Sequence, residues 1–324
     1  MGKIDIAAKS YFSDLDRFAD IFNFWIYDGE NIIQPSDLTE MDTTEIALPY
    51  GNAAKTPIQK FRDVLKLYTA MQDSRAIYLV LGLEAEAKTN YAMVVKNMLY
   101  DAMNYSKQVA SAAASHRTDA EAKPTSDEFL SGFWKEDRLV PVMTLVVNIS
   151  GKAWDGAKSL HDMFALTDKR FLTYIPNYRL NLLSPDQIDE QDFGKFRTGF
   201  GTAMQFIKHQ HDDSMDWMKD QSRFERVDRP TAEFIQTATG TKMQFDERDE
   251  VINMCRAWEN SMNQAKNDGI QQGIGQGKVD AVLNVAKKFD LSVEEAMDAV
   301  GIKKSEWDVY SPMIQQRMNA NAMP

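Results

Sequence analysis

The sequence predicts an α/β or α+β fold, in which a mixed central sheet is flanked by helices and followed by a helical C-terminal lobe and tail. Three features carry that prediction. Two β-leaning runs, RDVLKLYT at 62–69 and AIYLVLGLEAEA at 76–87, are joined by the turn-forming MQDS and read as a hairpin. A helix-spaced segment follows, and DRLVPVMTLVVNISG then offers another strand, apolar on both faces as an interior sheet position is. From GKAWDGAKSLHDMF onward the pattern is mostly helical.

Taken in order, DLDRFADIFNFWIY at 14–27 places Phe18, Ile21, Phe22 and Trp25 at helical spacing, and Asp28-Gly29 supplies a stop. Residues 34–59 carry Pro35, Pro49, Gly51 and Pro57 among polar residues, which reads as a long irregular connection with one short strand. After the hairpin, YAMVVKNMLYDAMNYSKQV sets Tyr91, Val95, Met98, Ala102, Tyr105 and Val109 on one stripe, expected to cover a sheet face. Its methionines read as core filling. Past a polar loop around Pro124 comes the interior strand, and YRLNLL is one more strand in the helical half.

The tail differs in character. Gly269, Gly273 and Gly277 are four apart and form a flat face on a helix. Each glycine costs a helix about 1 kcal/mol relative to alanine, so this stretch either frays or takes a partner helix, which suggests a homodimer through the tail. SVEE at 292–295 is a capping box, and a final helix starts at Lys304. The expected divisions are a core at 1–150, a mostly helical lobe at 151–262 and a glycine-spaced helix with a small helical tail at 263–324.

With 324 residues, 44% of them hydrophobic and 10% aromatic, the chain supports a packed core. A single cysteine, Cys255, excludes an internal disulfide framework and fits a reducing compartment, the cytoplasm by default. The start, MGKIDIAAKS, lacks a signal-peptide core, and the apolar run at 139–149 is about half of what a bilayer-spanning helix requires, so no membrane partner is expected. A net charge of −11 excludes whole-surface attraction to nucleic acid, so any DNA contact needs a local basic patch.

The chemistry-bearing candidates cluster at one strand end. Side chains alternate along a strand, so Glu84, Glu86 and Lys88 share a face at the end of the second β-run. Neighbouring buried carboxylates raise each other's pKa unless a cation or proton lies between them. On pattern alone, two readings stay open: a solvated strand end with surface ion pairs, or acids around a divalent ion. Asp63 lies 21 residues before Glu84 (84 − 63), at the start of the partner strand, where pairing brings it beside the row. Carboxylates of this kind suit magnesium, and manganese after it, which polarise a phosphoryl oxygen and generate hydroxide from water. Lys96, Tyr100 and Lys107 fall together on the next helix, away from its apolar stripe, where they could track a phosphate backbone. Asp20 is a further candidate acid. His209 and His211 diverge on a helix, GIGQGKV lacks the residues of a phosphate loop, and no zinc site or Ser-His-Asp set can be argued from spacing.

The segments RFADIFNFWIYDG, FRDVLKLY, LGLEAEAKTNYAMVVKNMLYDAMNYSKQV and FLSGFWKEDRLVPVMTLVVNISGKAWDGAKSLHDMF resemble the recombination-promoting nuclease and putative transposase family of bacteria. The similarity runs in the same order from about residue 10 to about 265, and the glycine-repeat tail also resembles that family's C-terminal region. The family belongs to the PD-(D/E)xK nuclease superfamily, which implies a restriction-endonuclease-like sheet and a magnesium-dependent DNA endonuclease, a hydrolase of phosphodiester bonds. By that resemblance Asp63 and Glu84 are implied metal ligands. Where related sequences show glutamine or lysine, this chain has Glu86, so either Lys88 substitutes from the same face or the protein is a catalytically degenerate DNA-binding or assembly module.

Overall fold

The computed structural model describes residues 3–47, 58–61, 63–72, 75–118, 125–165, 168–246 and 248–321. Pro49, Gly51 and Pro57 of the expected irregular connection, the turn residues 73–74 and Pro124 lie outside them. The chain divides into two compact units, Met1–Cys255 and Arg256–Pro324.

The first unit opens with α1 (Lys3–Ser13), which the sequence pattern had not distinguished, and α2 (Leu15–Tyr27). Asp14 caps α2 by accepting the Arg17 N–H, and Asp28, in the left-handed region at φ 51°, ends it. The short strands β1 (Leu38–Glu40), β2 (Thr44–Ala47) and β3 (Ile58–Phe61) occupy the irregular connection. The expected hairpin follows as β4 (Val64–Gln72) and β5 (Arg75–Glu86). After it come α3 (Met93–Thr118), α4 (Ser126–Ser131), β6 (Val142–Asn148) and β7 (Asn181–Leu183). The unit then continues through α5 (Phe200–His209), β8 (Val227–Asp228), α6 (Arg229–Thr239) and β9 (Val251–Ile252).

The main sheet is mixed, ordered β1-β4-β5-β6-β7, with β4 antiparallel to β1 and β5, and β6 parallel to β5 and β7. Parallel neighbours need a crossover, and α3 supplies it between β5 and β6. The β4–β5 register pairs Val64 with Leu83 and Lys66 with Leu81. One face of the sheet therefore carries Val64, Lys66, Leu81 and Leu83, and the other carries Leu65, Gly82, Glu84 and Glu86. On the first of these faces Lys66 is 1% exposed. Its ammonium donates to Ser13 O at 2.9 Å, lies 3.3 Å from Glu40 Oε1 and stands 5.4 Å from the Phe18 ring, tying the end of α1 to β1 and β4.

α3 turns a different face to the protein from the one its apolar spacing predicts. Tyr91, before the helix, is 65% exposed and Val95 41% exposed, while Met93, Val94, Asn97, Tyr100, Asp101, Met103 and Asn104 are buried. Part of the polar character of this stripe is met by the sheet and the loop before β7. Asp101 accepts the Thr144 hydroxyl at 2.7 Å and the Tyr178 hydroxyl at 2.6 Å, and Tyr105 Oη accepts the Val142 N–H at 3.0 Å.

Residues 151–255, the greater part of the 151–262 expected as a lobe of their own, lie in the first unit. β7 extends the sheet, Tyr11 of α1 stacks on Phe234 of α6 with ring centroids 4.3 Å apart, and Phe24 of α2 stacks on Phe196 at 4.0 Å. Asp20, read from sequence as a further acid, is a structural anchor instead. Its buried carboxylate accepts the Arg197 N–H at 3.0 Å, the Thr198 N–H at 2.8 Å and the Thr198 hydroxyl at 2.6 Å, which fixes the entry to α5.

In the second unit α7 (Met254–Phe289), α8 (Val293–Ala299) and α9 (Trp307–Asn321) surround Val279, Val282, Ala296, Met297, Ile302 and Ile314. The capping box forms as its sequence predicts: Ser292 Oγ accepts the Glu295 N–H, and Glu295 Oε2 accepts the Ser292 N–H. A Cβ added at Gly269, Gly273 or Gly277 would meet nothing within 4 Å. Among the described residues, no helix is long and apolar enough to cross a membrane.

Replacing Asp20 by alanine strands two backbone donors and a hydroxyl in a buried junction. The expected loss of stability is about 2–3 kcal/mol, read as a lower urea midpoint with an unchanged slope.

Candidate functional site

The site forms where β5 ends. A buried strand-end N–H needs an acceptor, and β4 stops pairing at Leu83, two residues short of Ala85. Asp63, the residue just before β4, fills the place: its Oδ2 accepts the Ala85 N–H at 2.9 Å. Ala85 lies between Glu84 and Glu86, so the pairing brings the three acids to one strand end, as the 21-residue offset predicts. Past Glu86 the chain bends and enters α3 at Met93, which returns Lys96, in the first helical turn, over the acidic pair. The Lys96 ammonium is 3.0 Å from Glu84 Oε2 and 2.8 Å from Glu86 Oε1.

These carboxylates differ in exposure. Glu84 is 1% exposed, enclosed by the sheet and α3, and Glu86 is partly buried at the rim. Burial pulls the Lys96 pKa down, but the Glu84 and Glu86 charges outweigh it and hold the ammonium well above the ordinary lysine value. Asp63 is also shifted upward, in its case against the charged form. Burial raises its carboxyl above the usual range, opposed by the Ala85 N–H and by the charge of Lys96. Lys96 thus acts on all three acids, and Asp5 and Lys9 of α1 also reach Asp63 electrostatically.

The other sequence candidates separate. Lys88 is exposed, two residues beyond the strand, and the amine against the acids is that of Lys96. Lys96 and Tyr100 do not form an open phosphate-tracking face with Lys107. Tyr100 is 5% exposed, with Lys96 Nζ 5.8 Å from its ring centroid, and Lys107 alone of the three is exposed. The face was misread because its N-terminal end turns inward with the polar stripe. What the sequence reading missed is the role of Lys96: it lies ten residues after Glu86 (96 − 86), and a bend followed directly by a helix is the signal that brings it back. His209 is held between Asp212 and Glu190, at 2.7 and 3.0 Å, and His211 is exposed.

The donor set suits a hard divalent cation in kind, since all three acids offer carboxylate oxygen. As arranged, no three acids, histidines or cysteines among the described residues form a group able to hold a metal ion. Two of the acids are instead compensated by an ammonium. The residues match magnesium in donor type alone, and Lys96 is in contact with the oxygens that the ion would need.

Lys96→Met removes that compensation from two neighbouring carboxylates. Stability should fall by about 1–3 kcal/mol, less than for a wholly enclosed pair because the lysine side chain is 32% exposed, and thermal or urea unfolding reads the loss. Comparison of the chain with protein-family models, curated proteins and solved structures finds no match in any of the three.

Proposed function

We propose that the chain is a magnesium-dependent DNA endonuclease of the kind its sequence resembles, hydrolysing phosphodiester bonds with activated water. The observation that carries this reading is the placing of Asp63, Glu84 and Glu86 at one end of β5, Asp63 on the Ala85 N–H and the Lys96 ammonium on the two glutamates. Asp63 and Glu84 would hold the metal, magnesium or manganese, which when bound supplies charge to a phosphoryl oxygen and lowers the pKa of water. Glu86, at the rim, serves as a further ligand or as proton acceptor. Lys96 takes the charge-stabilising part first assigned to Lys88, because its amine is already at the acids. Lys107, exposed farther along α3, offers a phosphate contact, while Tyr100 supports the helix from inside. A homodimer through the tail suits two cuts in a duplex, and α7 leaves its glycine positions open for it. A single cysteine fits a cytoplasmic setting.

One observation favours a second reading, a nuclease-like scaffold that binds DNA without cutting it. Glu86 replaces the glutamine or lysine that the resemblance leads one to expect, and it already shares the Lys96 ammonium with Glu84.

Nicking of supercoiled plasmid by the purified chain, with and without magnesium, separates the two. Asp63→Asn keeps an acceptor for the Ala85 N–H while removing the charge, so it should reduce magnesium-dependent nicking on the order of 100-fold or more with little change in folding. Unchanged nicking rejects the assignment of Asp63. If the wild type is inert and Glu86→Gln or Glu86→Lys switches cutting on, the non-cutting reading is the right one.

A further inference from the structure

Glu84 and Glu86 face the same way on one strand, and such a pair is not tolerated near the interior without a proton or a cation between its members. Lys96 meets that need from within the chain, at 3.0 and 2.8 Å. A magnesium or manganese ion binds carboxylate oxygen at about 2.0–2.1 Å. An ion on the same oxygens would therefore stand within about 5 Å of the ammonium, where two cations repel strongly in a partly enclosed site.

We propose that Lys96 and a divalent cation compete for Glu84 and Glu86, so that metal enters only as the Lys96 amine leaves. This rests on the metal-dependent reading above and adds to it a built-in counter-ion. The arrangement is asymmetric in the way such an exchange requires. Glu84 is fixed, 1% exposed in the middle of a five-stranded sheet. Lys96 has its backbone locked by the bond from its N–H to Ala92 O at 2.9 Å, but its side chain is 32% exposed and ends a long flexible stem. The lysine can swing outward while the carboxylates stay. Once displaced, its ammonium points toward the open side of the site, where an anionic phosphodiester would meet it. The metal-free site is thus held compact by Lys96, and loading exchanges one internal cation for a bound one while freeing the amine for substrate.

The test is manganese binding to the full chain, by calorimetry and by the manganese-induced rise in melting temperature, with no activity measurement. The variants are Lys96→Met, Lys96→Gln and Asp63→Asn. Both Lys96 variants should bind manganese more tightly than wild type, on the order of 10-fold or more, and gain more thermal stability from it. If Lys96→Met does not fold, Lys96→Gln, which can still donate to one carboxylate, carries the same comparison. Equal or weaker binding by the Lys96 variants, with binding lost in Asp63→Asn, overturns the competition and leaves the metal-dependent reading standing. No binding by wild type or by either Lys96 variant at millimolar manganese overturns both.

Discussion

The antiparallel ladder between β4 and β5 sets everything else in the first unit. It runs unbroken from Val64 opposite Leu83 to Gln72 opposite Arg75. A slip of one residue would exchange the faces, driving Lys66 into the α3 side and turning Glu84 toward α1 and α2. Each face holds a buried charge whose partner exists only there: the Ser13 carbonyl and Glu40 for Lys66, and Lys96 for Glu84. The register is therefore specified twice over, by apolar packing and by two charges that tolerate only one side.

The second half of the architecture follows from the parallel step that β6 takes beside β5. Because the crossover helix must start where β5 ends, the first turn of α3 is delivered to the acids and not to a remote part of the surface. The same helix then lays Asp101 and Tyr105 against β6, so the groups that seat α3 on the sheet also position the amine. Packing and electrostatics at this corner are one arrangement.

Much of this was legible in the sequence, and the exceptions have identifiable causes. The hairpin, the interior strand and the YRLNLL strand were readable because β-branched and aromatic residues alternate or run between turn residues, and Asp14, Asp28 and the Ser292 box mark helix ends through local bonds. The face of α3 was not readable, since Asp101 is buried by partners 43 and 77 residues away, which periodicity cannot register. Asp20 failed for a similar reason: an acid on a helix looks reactive until its acceptors are seen to be filled by Arg197 and Thr198. Asp63 could be placed beside the 84–86 segment from its offset, whereas Lys96 could be joined to the two glutamates only through the bend after Glu86.

The bond from the Ala85 N–H to Asp63 has an evolutionary corollary. Under the proposed function, a lineage that abandoned phosphodiester chemistry would still be selected to keep an oxygen acceptor at position 63, because its loss opens the end of the central ladder. Persistence of aspartate or asparagine there among descendants is thus weak testimony to turnover. At the rim the Glu86 side chain meets Lys96 and, among the described residues, caps no backbone N–H, so under the proposed function its identity is the better record of whether selection for cutting has been maintained.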